Sequence, residues 1–445
     1  MVMKRLVIWW FILLLALGGC RSMPPKPEGT PSTTVETERF RLSASDLAIG
    51  QLARIPTEEE DTLADIARHF GLGFQALRDA NPDIDPWLPP VDRDVLLPLA
   101  FILPEAPRSG IVLNLAAMRL FYFPPDRPDE VWSYPVGIGR EGWETPRGVA
   151  KIVRKEANPN WIVPPSIRQE HAQRGERLPS IVPPGPDNPL GAYALRLSFP
   201  GYLIHGTNKP YGIGLRVSHG CIQLYPEDIA ALFPHVSVGT EVTIVDQPYL
   251  VGWRQGELYL QAHAPLRQDA KTLHTLRQRL MRRLRRIERD FKVAVDWQRV
   301  DQALAEARGI PLPITKDSMP WQVYLEQAPV LDRPPSWPHQ YQPPAATPGW
   351  YLLVDYTLSS RAARRLVAIL RHQAPPLPAR LILSEREEQV VIGPFPGKTE
   401  AAAIKQSLNP DLRLPIRLLP PSQSEALLSA KSHSLPLVSS RKASP

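Results

Sequence analysis

The chain has 445 residues, 43% of them hydrophobic, and a formal net charge of +7. That composition excludes wholesale disorder, and the length suits about three domains of ~150 residues each. Its 52 prolines, more than twice the ordinary ~5% usage, exclude a chain of long uninterrupted helices and point to linkers and stiff loops, while the positive balance suits a polyanionic neighbour.

Lys4 and Arg5 form a positive n-region, and residues 6–17 are an unbroken apolar run. That run is shorter than the ~20 residues of a membrane span, and small residues follow it, as a secretory signal requires. Leu17-Gly18-Gly19-Cys20 resembles a bacterial lipobox, which implies diacylation of Cys20 and a signal peptide over 1–20. Arg21 and Ser22 offer no acidic retention signal, so the expected location is the periplasm, lipid-anchored at the outer membrane. In that compartment the expected polyanions are wall polymer or lipid, and no nucleic acid.

Residues 21–45, rich in Pro, Thr and Glu, predict a tether. Within residues 46–104, Leu63, Ile66, Ala67 and Phe70 share one helix face, with Asp61 or Thr62 as N-cap and Gly71 as stop. A second helix begins at Phe74 and Leu77. Strands are expected near 52–55 and 95–98. The phrase DTLADIARHFGLGFQALRDANPDIDPWLPPVDRDVLLP resembles a LysM module, a βααβ unit that binds amino-sugar glycans.

Residues 108–247 are dominated by short β-type runs at 111–115, 120–123, 131–136, 149–154, 193–197, 202–205 and 241–245, punctuated by turn residues. One helix is expected at 226–233, with Pro226 in its first turn and Glu227 and Asp228 at the positive end of its dipole. The Pro-rich loop 158–189 has the length of a lid or binding loop.

Residues 248–348 predict a basic helical extension followed by a Pro-rich linker. Leu273, Leu276, Leu280, Leu284, Ile287 and Phe291 recur at helical spacing, and seven arginines from Arg277 to Arg289 share that helix. It could lie on anionic lipid or wall polymer, or pack on the catalytic domain. Residues 349–420 predict a βαβα unit, and EQVVIGPFPGKTEAAAIKQSL resembles the second half of SPOR domains, which bind peptidoglycan strands. Residues 421–445 predict a disordered tail. The expected fold is therefore multidomain and mainly β, a sandwich- or barrel-like catalytic domain with small α+β modules on either side.

The chemistry concentrates in IHGTNKPYGIGLRVSHGCIQL, residues 204–224. If Cys20 is lipidated, Cys221 has no disulfide partner, and an exported lone thiol points to reactivity. A thiol needs a base within reach to become a nucleophile near neutral pH, and His205 and His219 both precede it. The segment resembles the L,D-transpeptidase (YkuD-type) catalytic domain, which carries a histidine, a short insert and then Ser/Thr-His-Gly-Cys. That resemblance implies Cys221 as nucleophile, His205 as base and the Gly206 carbonyl as orienter of its ring. Gly220 and Cys221 N–H groups are candidate oxyanion donors. His219 is the second candidate base, and Ser218 a loop hydrogen-bonder.

Gln223 stands where the family often has an arginine, which puts carboxylate recognition there in doubt and makes Arg216 or Lys209 candidate substitutes. Trp161, Tyr193 and Tyr211 are candidate pocket walls. The resemblance implies attack on the tetrapeptide stem of peptidoglycan with loss of its terminal D-alanine. The acceptor is then an amine of another stem or of an outer-membrane lipoprotein; water in that role would make an L,D-carboxypeptidase. No cofactor is expected, and a zinc site of Cys221, His205, His219 and His235 matches no common metal spacing. A second reading, from a different class, is a non-catalytic peptidoglycan-binding lipoprotein that tethers the outer membrane to the wall.

Overall fold

Neighbouring residues of single strands divide between two cores. Ile111, Leu113, Leu120 and Tyr122 are buried on one face with Ile204, Ile222, Leu224 and Ile229. Val112, Phe121 and Phe123, which alternate with them, are buried on the other face with Leu63, Ile66, Leu77 and Leu97. A strand covered on both sides reads as a continuous apolar run, because successive side chains point to opposite faces. The structure, a computed structural model, describes residues 36–429 apart from 44–45, 174, 357, 374, 385–386 and 413–414. The expected signal peptide with Cys20, the tether up to residue 35 and residues 430–445 of the expected tail lie outside the described residues.

The first module contains β1 (Arg39–Arg41), β2 (Ala48–Gly50), β3 (Ala53–Pro56), α1 (Leu63–His69), α2 (Phe74–Ala80), β4 (Asp94–Leu97) and β5 (Ala100–Ile102). β3 and β4 pair antiparallel around the two helices. Thr62 caps α1: its Oγ1 accepts the Asp65 N–H at 3.1 Å and donates to the Asp65 carboxylate at 2.8 Å, satisfying an orphan donor of the first turn. Asn81 ends α2 and ties it to β4, its amide donating to the Leu77 and Leu96 carbonyls at 2.8 Å each.

Next come β6 (Gly110–Asn114), β7 (Arg119–Phe123), β8 (Glu130–Pro135), β9 (Ile138–Gly139), β10 (Gly148–Ala157), β11 (Trp161–Ile162), α3 (Pro165–Gln173), β12 (Ile181–Val182), β13 (Tyr193–Leu197), β14 (Leu203–His205), β15 (Arg216–Ser218), β16 (Ile222–Gln223), α4 (Pro226–Leu232) and β17 (Glu241–Val245). One nine-stranded sheet runs β1-β8-β7-β6-β17-β10-β13-β14-β16. A single curled sheet thus stands in place of the two stacked sheets of a sandwich. The ten-residue β10 helps it turn: its first half pairs with β17, its second with β13, and its register shifts between Ile152 and Arg154, as a bulge that bends a strand does. The long loop after β10 carries the small hairpin β11–β12 and, between its strands, helix α3.

The segment expected as a helical extension and linker is largely ordered as a further unit. It holds β18 (Tyr249–Arg254), β19 (Glu257–His263), α5 (Ala270–Phe291), α6 (Trp297–Glu306), β20 (Arg308–Pro313) and α7 (Trp321–Glu326). The three strands form one sheet in the order β18-β19-β20. Pro311 and Pro313 sit in an edge strand, the place in a sheet where a missing N–H is tolerated; that is why a Pro-rich stretch hides a strand. Leu280, Leu284 and Ile287 of α5 pack on Val251, Leu258 and Leu260 of this sheet, so the apolar stripe covers its own unit rather than the catalytic sheet.

The last unit is β21 (Trp350–Val354), α8 (Ser360–Arg371), β22 (Ala379–Ser384), β23 (Glu387–Phe395), α9 (Lys398–Leu412) and β24 (Ile416–Leu419), a βαββαβ succession with strand order β22-β23-β21-β24. It has two strands more than the sequence pattern marks. Residues 421–429, expected to be disordered, form α10 (Pro421–Ser429), and Ser424 Oγ donates to the Gly349 carbonyl at 2.9 Å. Helix α8 meets the first module, where His372 Nε2 lies 3.2 Å from Asp65 Oδ2 at the cap of α1.

Candidate active site

Strands β14 and β16 run parallel as neighbours, with Ile204 opposite Ile222 and His205 opposite Gln223. Side chains alternate along a strand, so His205 and Gln223 share one face, and Cys221 stands immediately before β16. Ile204 and Ile222 point the other way into the core. The apolar residues that fix this register therefore set His205 on the strand beside the one that Cys221 precedes.

His205 is 3% exposed, and its Nδ1 lies 2.6 Å from the Gly206 carbonyl. A carbonyl only accepts, so Nδ1 carries the hydrogen and Nε2 is the basic nitrogen. Burial pushes the imidazole pKa down to about 4, against opposing hydrogen bonds to the Gly206 and Leu190 carbonyls. The ring is neutral near pH 7. Cys221 is partly buried, and its Sγ donates a long hydrogen bond to the Gly201 carbonyl at 3.8 Å. Burial pushes this thiol up, opposed by the Leu203 N–H and by Arg196. The resting pair is a neutral thiol and a neutral imidazole.

The loop before the thiol is held from both sides. Ser218 Oγ donates to the Cys221 carbonyl at 2.6 Å and accepts the Gly220 N–H at 3.2 Å. The Gly220 N–H, expected as an oxyanion donor, is thereby engaged within the loop. Thr145 Oγ1 donates to the Gly220 carbonyl at 2.8 Å and accepts the Gly139 N–H at 3.0 Å. Gly220 has φ +101° and a Cβ there would stand 2.7 Å from Tyr202 Cε1, so the position admits no side chain.

His219 is engaged by the long loop 158–189 and by Arg140. Its Nε2 lies 2.9 Å from Glu170 Oε2 on α3 and 3.1 Å from Arg140 Nη2, and Arg140 donates to Glu170 at 2.6 and 2.7 Å. The Trp143 ring packs edge-on against His219 at 4.9 Å. Hydrogen bonds from Arg140 and His219 hold the Glu170 carboxyl down at about 2.

Of the proposed substrate contacts, Gln223 lies beside His205 and the others scatter. Gln223 exchanges backbone hydrogen bonds with Gly137 at 2.8 and 2.9 Å. Arg216 reaches the Leu266 carbonyl at 3.2 Å, on the side of the segment leading to α5. Lys209 is exposed and precedes a single 3-10 turn. The Tyr211 ring packs tilted against His372 of the last unit, 4.4 Å between centroids, and burial raises its phenol to about 12. Tyr193 packs 4.6 Å from Phe233 in the core. Both tyrosine rings thus have aromatic packing partners, and Trp161 lies in the long loop, on β11. Sequence reading missed Arg140, Trp143, Thr145 and Glu170; only the expectation of a lid over 158–189 pointed toward Glu170. Among the described residues no cluster of three or more His, Cys, Asp or Glu could hold a metal ion.

Comparison with known proteins agrees in span with the curled sheet. Residues 108–244 match the family model for the L,D-transpeptidase catalytic domain. The chain is 40% identical over 271 residues to the probable L,D-transpeptidase ErfK/SrfK of Escherichia coli K12, covering 59% of this chain and 86% of that one. It is 36% identical over 311 residues to the ErfK/SrfK protein of Salmonella typhimurium LT2, covering 69% and 95% respectively. To the probable L,D-transpeptidase YbiS of E. coli K12 it is 41% identical over 218 residues, covering 48% and 71%. With 86% and 95% of the two ErfK/SrfK proteins aligned on it, this chain belongs to the L,D-transpeptidase family and is an L,D-transpeptidase.

Proposed function

We propose that Cys221 is the nucleophile and His205 its base, acting on the tetrapeptide stems of peptidoglycan. The observation that supports this reading is the place of His205 on β14, parallel to β16, which Cys221 immediately precedes, with Nδ1 tied to Gly206 and Nε2 left basic. As Sγ attacks the peptide carbonyl, its proton passes to His205 Nε2, which then gives it to the departing D-alanine amine. The C–N bond breaks and a thioester remains. An acceptor amine, from another stem or an outer-membrane lipoprotein, resolves it by the reverse proton traffic; water gives the trimmed stem. Because the Gly220 N–H goes to Ser218, the Cys221 N–H is the oxyanion donor in this scheme. Ser218 and Thr145 hold the loop in shape, and no cofactor takes part.

The flanking units support a wall-bound setting. The first module has the βααβ order of a LysM unit, and the last has alternating strands and helices over the stretch that resembles a SPOR domain. Both are read as glycan-binding modules, with Cys20 as the lipid-anchored N-terminus in the periplasm at the outer membrane. Mass spectrometry of muropeptides after incubation with the protein tests the catalytic assignment. New crosslinked or trimmed products with the wild type and none with Cys221→Ala is the expected result; products persisting in the variant would overturn it.

A further inference from the structure

The turn between α1 and α2 of the first module closes on itself and then meets the catalytic unit. The Gly71 and Leu72 N–H groups return to the Arg68 and Ala67 carbonyls at 3.3 and 2.8 Å, the pairing that satisfies the end of a helix. That closure leaves the Gly71 and Leu72 carbonyls for outside partners, as it does the Phe74 N–H, a first-turn donor of α2 with no acceptor in its own helix.

The catalytic unit takes up all four residues of the turn. Arg119 Nη1 donates to the Gly71 carbonyl at 3.2 Å and Tyr225 Oη to the Leu72 carbonyl at 3.1 Å, both buried contacts. The Phe74 N–H donates to the Ile213 carbonyl at 3.2 Å. Gly73 lies against Gly214: a Cβ at position 73 would stand 2.8 Å from the Gly214 Cα, so the two backbones meet because neither carries a side chain. One turn earlier, Arg68 grips the Glu227 carboxylate with two nitrogens, at 2.8 and 3.0 Å.

These contacts fall on both sides of the thiol. Ile213 and Gly214 lead into β15, whose Ser218 holds the Cys221 carbonyl. Tyr225 stands after Cys221, as the N-cap of α4, and is 3% exposed. We propose, resting on Cys221 as the nucleophile, that the turn 71–74 is part of the active-site framework and that Tyr225 is a positioning residue, holding the chain beyond the thiol through the Leu72 carbonyl. A nucleophile set about 1 Å out of place can lose on the order of 10²-fold in rate. The first module, on this assignment, acts on the reaction itself and does more than carry the catalytic unit to its substrate.

Rapid-mixing kinetics of Cys221 acylation by a carbapenem, on the full chain, separate the maximal rate from the half-saturating concentration. Tyr225→Phe, nearly isosteric, should lower the maximal rate by roughly tenfold or more and leave the half-saturating concentration within about twofold. Gly73→Ala, which presses on Gly214 from the other flank, should do the same. Val95→Ala, a truncation in the core of the first module, should lower the melting temperature at least as far as Tyr225→Phe does, with both kinetic constants unchanged. Wild-type kinetics in Tyr225→Phe overturn the proposal, as does a change confined to the half-saturating concentration. An equal loss of rate in Val95→Ala overturns it too, since stability alone would then explain the effect. Failure of the nucleophile assignment looks different: wild type unacylated, or acylation persisting in Cys221→Ala, and the proposal falls with it.

Discussion

Glu170 Oε2 lies 2.9 Å from His219 Nε2, across 49 residues of chain. Through that contact, and through Arg140, helix α3 of the long loop is fastened to the residue two before Cys221. Charge-assisted hydrogen bonds of this length are the strong ones, and the Glu170 carboxylate, held at about 2, stays ionised across the working pH range. Glu170→Gln keeps the shape and removes the charge. Hydrogen exchange of the α3 amides should then rise several-fold, with exchange in β6 and β17 unchanged. Equal exchange of α3 in both proteins would show that the contact does not hold the lid.

The acid side of the reaction should lie unusually low. His205 must be neutral to take a proton, and burial places its pKa at about 4 rather than 6.5. The rate of Cys221 acylation by a carbapenem should therefore hold from pH 7 down to about 5 and fall only toward pH 4. A midpoint near 6.5 would show an imidazole open to solvent.

The same shift makes a stability prediction. Between pH 6.5 and about 4 the unfolded chain binds a proton on this histidine that the folded chain refuses. Stability should fall as pH drops through that window and gain nothing further from this group above it. The contribution is on the order of 3 kcal/mol below pH 4. His263, pushed down to about 4 by burial, acts in the same direction. Urea unfolding at pH 7 and pH 4.5 should show a smaller drop in His205→Gln than in wild type.

Thr145→Val removes a hydroxyl that serves both the Gly220 carbonyl and the Gly139 N–H. Two buried backbone groups lose a partner, at a cost of about 1–3 kcal/mol each if no other partner replaces it. Carbapenem acylation of Cys221 should slow by at least roughly tenfold as the loop loses its grip. A fall in melting temperature with acylation unchanged would confine Thr145 to stability.

Helix α5 offers a contrast between its two faces. Leu284→Ala opens a cavity against Val251, Leu258 and Leu260 and should cost about 2–5 kcal/mol in denaturant unfolding. Arg282→Ala, on the exposed face, should stay within about 0.5 kcal/mol.

What the sequence determined by itself is what short-range physics controls. A cap at Asp61 or Thr62, the Pro226 start of α4, the apolar stripe of α5 and the strand carrying His205 all follow from side-chain periodicity and from neighbours within a few residues. The spacing of Ser218, His219, Gly220 and Cys221 is likewise local, so the candidate centre could be named from the chain. Tertiary structure alone decided the rest. Which nitrogen of His205 stays basic depends on the Gly206 carbonyl, His219 turns to Glu170 and Arg140, and Tyr211 finds its partner in His372, 161 positions away in the numbering. A strand with two prolines becomes legible once an edge exists to receive it. Such contacts depend on which surfaces folding brings together, and no periodicity within one segment records its distant partner.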